Sequence, residues 1–274
     1  MQFTHFDGPI GSQLLGVDAT LPIAERDVEL LKYTLAERGV VVLRNQALDS
    51  EQQLAFMAQF GETELFPDQS AMGNPIRGIF RISNQGDGFD VGHYWHADRA
   101  PFARTTSISA LAAVTVPSEQ PTRTIFLNMN RAYLGLDAEF GRKIATLRWD
   151  LPTRVQLPIV RAHPEIGAPI LSLPFRFPGG DGSDAELLEQ IKRLNSDMLP
   201  RIAGLSEEES NPIMLRLVHH VLSNPTWIYE HIWRPGDLVL WDQRTVYHMA
   251  LASSHRRVLA RTAVVGKQAP AYVR

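Results

Sequence analysis

Three groups of side chains in this sequence have the types and spacing for metal chemistry. The first is His96-Ala97-Asp98, within GHYWHADRAPF. In extended chain, residues i and i+2 point to the same side, so His96 and Asp98 can offer an imidazole nitrogen and a carboxylate oxygen to one ion. The second is His248, within GDLVLWDQRTVYHMA. Two histidines and one carboxylate cover one face of an octahedron. They leave three positions for a bidentate cosubstrate and O2, the arrangement of non-haem Fe(II) oxygenases. The third is the cationic group Arg256, Arg257 and Arg261. On a strand, Arg257 and Arg261 share a face and Arg256 points the other way. A dicarboxylate cosubstrate needs a permanent cation at its far end, and arginine supplies an always-charged bidentate fork. Each group alone is weak evidence, because H-x-D triplets, single histidines and terminal arginines commonly sit in solvated or structural positions. Their joint occurrence, in this order, carries the argument.

The other histidines read as structural. His219 and His220 are neighbours on one helix and cannot both face a site. His231 lies in a strand with no ligand type beside it, and His5 and His255 read as surface residues. His93 is close enough to the triplet to line a pocket. With no cysteine in 274 residues, disulfides, thiolate catalysis and sulfur-ligated zinc or iron–sulfur sites are excluded. A net charge of −3 gives no electrostatic case for nucleic acid or an anionic membrane as partner. No run approaches the roughly 18 apolar residues of a membrane span, and MQFTHFDGPIG has no secretory pattern. The expectation is a cytoplasmic enzyme of one domain, residues 1–274, with a small-molecule substrate. Its oligomeric state is left open.

The elements that must position these groups are mainly strands. Residues 25–38 predict an amphipathic helix stopped by Gly39, followed by a buried strand at Val40-Val41-Val42-Leu43. Ser50 with Gln53 predicts a capping box for a second helix, with Leu54, Met57 and Phe60 on one face. Short strands rich in Val, Ile, Leu and Thr are then predicted at 76–83, 106–116, 123–129, 158–162, 169–173, 229–233, 237–241 and 257–265. A helical insertion at about 183–222 interrupts them, with Ser183/Glu186 capping a helix through about 203 and Ser206/Glu209 another through about 222. Many short strands with long excursions predict an α+β, mainly β fold, a jelly roll flanked by N-terminal helices.

With these segments in hand, the chain resembles the taurine dioxygenase-type family of Fe(II)/2-oxoglutarate-dependent oxygenases. The resemblance is carried by Trp95-His96-Ala97-Asp98, Thr124 in RTIFLNMNRAY, His163-Pro164, Trp233-Arg234-Pro235-Gly236-Asp237, Trp241-Asp242-Gln243-Arg244, His248, Arg257 and Arg261, over about residues 10–270. It implies a double-stranded β-helix and Fe(II) held by His96, Asp98 and His248. It implies 2-oxoglutarate held at its distal carboxylate by Thr124 and Arg257, with Arg261 nearer the substrate or the chelating end. The implied reaction is O2-dependent oxidation of a small anionic molecule, with succinate and CO2 released. Retention of Asp98 disfavours a halogenase, which would leave that position for chloride.

Two departures matter. Gln120-Pro121-Thr122-Arg123 replaces the family's Gly-Gly-Asp before the strand of Thr124, which makes Arg123 a candidate second anion contact. After Phe60-Gly61, Phe66 and Gln69 align where a sulfonate-binding His and Tyr are usual, so taurine is not the expected substrate. The WHAD and RTIFLNMNRAY segments are also similar to members that make isonitriles from N-substituted amino acids. Candidate substrate contacts are Phe66, Gln69, His93, Arg99 and Arg261, with the Phe175-Arg176-Phe177 loop. Together they suggest a carboxylate or amino-acid derivative with an apolar part. Rival readings are a non-catalytic dicarboxylate sensor and a zinc hydrolase using the same three ligands. The hydrolase leaves Thr124 and Arg257 without a role.

Overall fold

The computed structural model describes residues 1–66, 76–84, 92–98, 106–117, 120–153, 155–180 and 182–266. In chain order the strands and helices are β1 (Gln2–His5), β2 (Ser12–Leu15), α1 (Glu25–Arg38), β3 (Val40–Leu43), α2 (Ser50–Ala58), β4 (Phe80–Ser83), β5 (Thr106–Thr115) and β6 (Arg123–Asn128). There follow α3 (Met129–Leu134), α4 (Ala138–Ala145), β7 (Arg148–Asp150), β8 (Gln156–Pro158), β9 (Val160–Ala162), β10 (Pro169–Leu171), α5 (Asp184–Asn195), β11 (Arg201–Ile202) and α6 (Glu207–Leu222). The chain closes with β12 (Ile228–Ile232), β13 (Leu238–Asp242), β14 (Val246–Ala250) and β15 (Val258–Val265).

A seven-stranded sheet, β1-β2-β3-β13-β5-β15-β4, faces a three-stranded sheet, β12-β6-β14. This is the jelly roll expected from the strand pattern. All pairings in these sheets are antiparallel except β2 with β3. Alternation along each strand divides the apolar side chains between three cores. Val40, Val42, Leu111, Val239, Trp241 and Leu259 of the large sheet meet Phe126 and Val246 of the small one. The opposite parity, Val41, Leu43, Ala110, Leu240 and Ala260, packs under Leu31, Leu35, Phe56 and Met57 of α1 and α2. The outer face of the small sheet, with Leu127, Tyr247 and Met249, is covered by α3 to α6 and the short strands between them. Thr124, His248, Leu259 and Arg261 share the parity of the inter-sheet core residues, so β6, β14 and β15 present polar groups at one end of an otherwise apolar sandwich.

Helix α1 ends at Gly39, whose φ of 77° requires glycine; a Cβ there would also lie 2.6 Å from Val246. Several expectations need correction. The capping box of α2 uses Asp49 and Gln52, one residue before Ser50 and Gln53, because Asp49 is the last extended residue. The Ser183/Glu186 and Ser206/Glu209 boxes form as read, but α5 stops at Asn195 and Arg201–Ile202 is a strand. The strand predicted over 76–83 is confined to Phe80–Ser83, and 158–162 is split between β8 and β9 at Ile159. Strands β1, β2, β7, β11 and β14 and helices α3 and α4 were not anticipated. Asn128 was read as strand, yet its side chain caps α3 by accepting from the backbone N–H groups of Asn130 and Arg131.

Candidate active site

Trp95 anchors the H-x-D segment from behind. It is buried and exchanges backbone hydrogen bonds with Phe177, Trp95 N to Phe177 O at 2.8 Å and Phe177 N to Trp95 O at 3.2 Å. The next residue turns to the opposite side. His96 pairs with His248 of β14 across the backbone, 3.2 and 2.9 Å in the two directions, which brings the two imidazole centroids to 4.2 Å. Asp98 follows on the same side, its Oδ1 3.7 Å from His96 Nε2. One ligating atom from each of His96, Asp98 and His248 lies within 4.8 Å of the others. The three residues that spacing alone singled out therefore converge.

The surroundings set their state. His96 Nδ1 lies 3.0 Å from the Tyr94 carbonyl; this fixes the proton on Nδ1 and leaves Nε2 as the free lone pair. Gly92 (φ 96°) brings the backbone against that ring, where a Cβ would approach His96 Cε1 to 3.1 Å. His248 is wedged between Trp241 and Phe126, with ring centroids at 4.9 and 6.2 Å. Its Nδ1 is buried without a hydrogen-bond partner among the described residues. Burial pushes His96 below the ordinary imidazole value, and burial followed by the repulsion of His96 pushes His248 down to about 3. Burial would raise the Asp98 carboxyl, but Arg261, His248, His96 and Gln243 outweigh it and hold Asp98 well below the usual carboxylate range. Two neutral imidazoles and an ionised carboxylate are the donor states that a divalent metal requires. This donor set, with an orphaned imidazole nitrogen, fits Fe(II).

The triad opens on a cavity of about 250 Å³. Thr124, Arg257 and Arg261 line it together with Phe80, Ile82, Leu111, Trp241 and Leu259. Thr124 Oγ1 accepts a hydrogen bond from the indole N–H of Trp233 at 2.9 Å. Its hydroxyl proton is therefore directed elsewhere. Arg257 is buried, with one guanidinium nitrogen donating to the Arg123 carbonyl at 3.1 Å. Arg261 meets Asp98 Oδ2 at 2.9 Å and Glu64 at 4.0 Å, so it stands beside the triad.

The remaining expected contacts divide. Gln69 and Arg99 lie outside the described residues. Phe66 is buried against Phe80, 5.5 Å between centroids, and beneath the Arg261 guanidinium at 5.0 Å; it backs Arg261 and does not line the cavity. His93 is exposed, with Nδ1 3.1 Å from the Ala250 carbonyl, and also stands off the cavity lining. Phe175 and Phe177 face the core, and alternation turns Arg176 between them toward the cavity. Arg176 sits over the Tyr94 ring at 5.0 Å. Arg123 turns outward to Glu230 at 3.3 Å, which removes it as a second anion contact.

A second cluster, His163, Glu165 and Asp242, also has metal-ligand types. Arg244 already pairs with both of its carboxylates at 2.6 Å, while His163 Nε2 takes Asp242 Oδ2 at 3.1 Å. It is a brace at the end of β13, with His163 and Asp242 buried and Glu165 exposed. His231 does have a ligand type beside it, since its Nε2 meets Asp237 Oδ2 at 3.0 Å. Arg44 joins that carboxylate and makes it structural. Sequence reasoning quoted Gln243 within a motif but gave it no role. Its amide contacts Asp98 from 145 residues away, and no local pattern signals that.

Comparison with known proteins agrees with this geometry. Residues 2–263 match the family model described as taurine catabolism dioxygenase TauD, TfdA family. The chain is 27% identical to the alpha-ketoglutarate-dependent 2,4-dichlorophenoxyacetate dioxygenase of Burkholderia sp. (strain RASC), covering 91% of this chain and 88% of that protein. It is 28% identical to pentalenolactone F synthase of Streptomyces arenae, with 94% and 93% covered. Among solved structures, a taurine dioxygenase from Burkholderia xenovorans superposes with a TM-score of 0.77 at 27% identity, covering 97% of this chain and 91% of that one.

Proposed function

Because the chain belongs to the TauD, TfdA dioxygenase family, and so is an Fe(II)- and 2-oxoglutarate-dependent dioxygenase, we propose that it oxidises a small carboxylate with an apolar body. On this reading His96, Asp98 and His248 hold the metal, and Thr124 and Arg257 hold the distal carboxylate of 2-oxoglutarate. Bound Fe(II), with 2-oxoglutarate and O2, supplies a two-electron oxidation of a substrate C–H bond while 2-oxoglutarate leaves as succinate and CO2. The chain's own residues supply placement. Arg257 and Thr124 fix the far end of the cosubstrate, Trp233 orients Thr124, and the flanking rings stop His248 from turning.

The observation that carries the substrate reading is Arg176. It lines the cavity over Tyr94 and has no acidic partner among the described residues. Arg257 is assigned to the cosubstrate, and Arg261 is already paired with Asp98. An acid group on the substrate would meet Arg176, while its body rests on Phe80, Ile82 and Leu259. The curated relative acting on 2,4-dichlorophenoxyacetate has a substrate of this kind, and a taurine-type sulfonate pair is absent from Phe66.

The test measures succinate release and O2 uptake with taurine, 2,4-dichlorophenoxyacetate, N-substituted amino acids, small aliphatic carboxylates and phosphonates. Carboxylates with an apolar body should stimulate turnover above the substrate-free rate. Taurine as the best substrate of the panel would sink the reading. Tight 2-oxoglutarate binding without succinate from any substrate would favour the sensor.

A further inference from the structure

Gln243 follows β13 at the turn into β14 and is buried. Its side-chain carbonyl accepts the backbone N–H of Asp98 at 3.1 Å. Its amide nitrogen donates to Asp98 Oδ2 and, at 2.9 Å, to Ser109 Oγ. The chemistry fixes this orientation: the flipped amide would set its NH2 against an N–H and its oxygen against a carboxylate. Asp98 Oδ2 thus receives Gln243 and also Arg261 at 2.9 Å, whereas Oδ1 faces His96 Nε2. The two carboxylate oxygens are made unequal by the protein before any metal arrives.

Resting on the site reading above, we propose that Gln243 is a positioning residue that clamps Asp98 at its backbone and at Oδ2, so that the metal is offered Oδ1 alone. Arg261 by itself could hold Oδ2 and still let the carboxylate rock, because a single long side chain fixes a point and not a plane. Gln243 adds a second point on the Asp98 backbone, and Ser109 holds Gln243 itself. Buried just after β13, next to Asp242, which Arg244 and His163 brace, Gln243 has little freedom to follow a moving ligand. Restraining Asp98 to one oxygen keeps the adjacent coordination position for the cosubstrate.

The test uses Mn(II) as probe, titrated calorimetrically into metal-free wild type, Gln243→Leu and Gln243→Asn, with thermal unfolding of each metal-free protein as control. Gln243→Leu should weaken Mn(II) binding about ten- to a hundredfold, the usual cost of losing a partner that orients a metal ligand. The metal-free midpoint should fall as well, because buried partners are left unpaired, so affinities are compared at a temperature where each protein is fully folded. Gln243→Asn keeps the amide on a shorter arm and should recover part of the affinity. Mn(II) affinity of Gln243→Leu within threefold of wild type would overturn the proposal. A crystal structure of the wild-type Mn(II) form decides the matter even if the variants fold poorly. Mn(II) on Asp98 Oδ1, with Gln243 still on Oδ2, is the expected result. Ligation through Oδ2 or both oxygens overturns the clamp and leaves the site reading standing. Absence of Mn(II) from His96, Asp98 and His248 overturns both.

Discussion

Replacing Arg257 by alanine tests the cosubstrate assignment most directly. Arg257 is only 3% exposed and precedes β15, where its parity points it, with Arg261, into the inter-sheet cavity. Its backbone N–H is fixed by Asn84 Oδ1 at 2.8 Å and one guanidinium nitrogen by the Arg123 carbonyl at 3.1 Å. The group is therefore preorganised, and little ordering cost offsets its pairing with a carboxylate. A hydrogen bond to a charged group is worth about 1.5–3 kcal/mol. At about 1.4 kcal/mol per decade, Arg257→Ala should weaken 2-oxoglutarate binding roughly ten- to a hundredfold. Arg257→Lys keeps the charge but loses the fork and should fall between. The assay is calorimetric titration of 2-oxoglutarate into the Mn(II)-loaded protein under argon, which separates binding from turnover. An affinity within twofold of wild type would refute the assignment. The role would then pass to Arg261, because Arg123 is turned away toward Glu230.

Four further outcomes are expected. His96→Ala, Asp98→Ala and His248→Ala should each abolish substrate-dependent succinate release and most Mn(II) binding, and full activity in any one would remove that residue from the ligand set. Two imidazoles with the ordinary value of 6.5 would lose roughly a hundredfold in metal affinity between pH 7.5 and 5.5. Because burial holds both below that value, the loss should stay under tenfold by titration at the two pH values. The same depression means that below pH 6.5 the unfolded chain takes up protons the folded metal-free protein does not, so metal-free stability should fall as pH falls; a flat denaturant midpoint over that range would contradict it. Arg176→Ala should raise the KM for a carboxylate substrate and leave the 2-oxoglutarate affinity unchanged, and equal effects on both would move Arg176 out of the substrate contacts.

How far the site could be read in advance depended on whether a residue's role is local. His96 and Asp98 are two apart, and Arg257 and Arg261 four apart, so period-2 alternation alone puts each pair on one side. His248 was recognised as a ligand type although its strand, only five residues long and carrying Tyr and His, was not. The substrate side was less legible because facing depends on tertiary packing. In Phe175-Arg176-Phe177, alternation says only that the phenylalanines oppose the arginine. It does not say which side meets the core, and burial of both rings reversed the expected contact. Phe66 differs for a related reason: it packs on Phe80 of β4, and it is Phe80 that lines the cavity. The capping-box error at α2 arose because Asp49/Gln52 and Ser50/Gln53 satisfy the same four-residue pattern, and only the backbone chooses.

Charge balance in the cavity ties the substrate reading to the ligand set. Among the described residues that line it, Asp98 carries one negative charge, while Arg176, Arg257 and Arg261 each carry one positive. A divalent metal and a doubly charged 2-oxoglutarate cancel one another. Glu64, 4.0 Å from Arg261 and buried, offsets a second of the three cations. One positive charge is then left over, and it falls to Arg176, the cation over Tyr94 at 5.0 Å. Arg176 is exposed and keeps its hydration with any substrate, so the preference comes from pairing: a monoanion gains a charge-assisted contact there that a neutral or cationic substrate cannot make. Because Arg176 is exposed at the edge of the cavity, pairing there would act on KM more than on the oxidation step. The acid group would be met at the rim, while the C–H bond to be oxidised is held deeper, beside the triad.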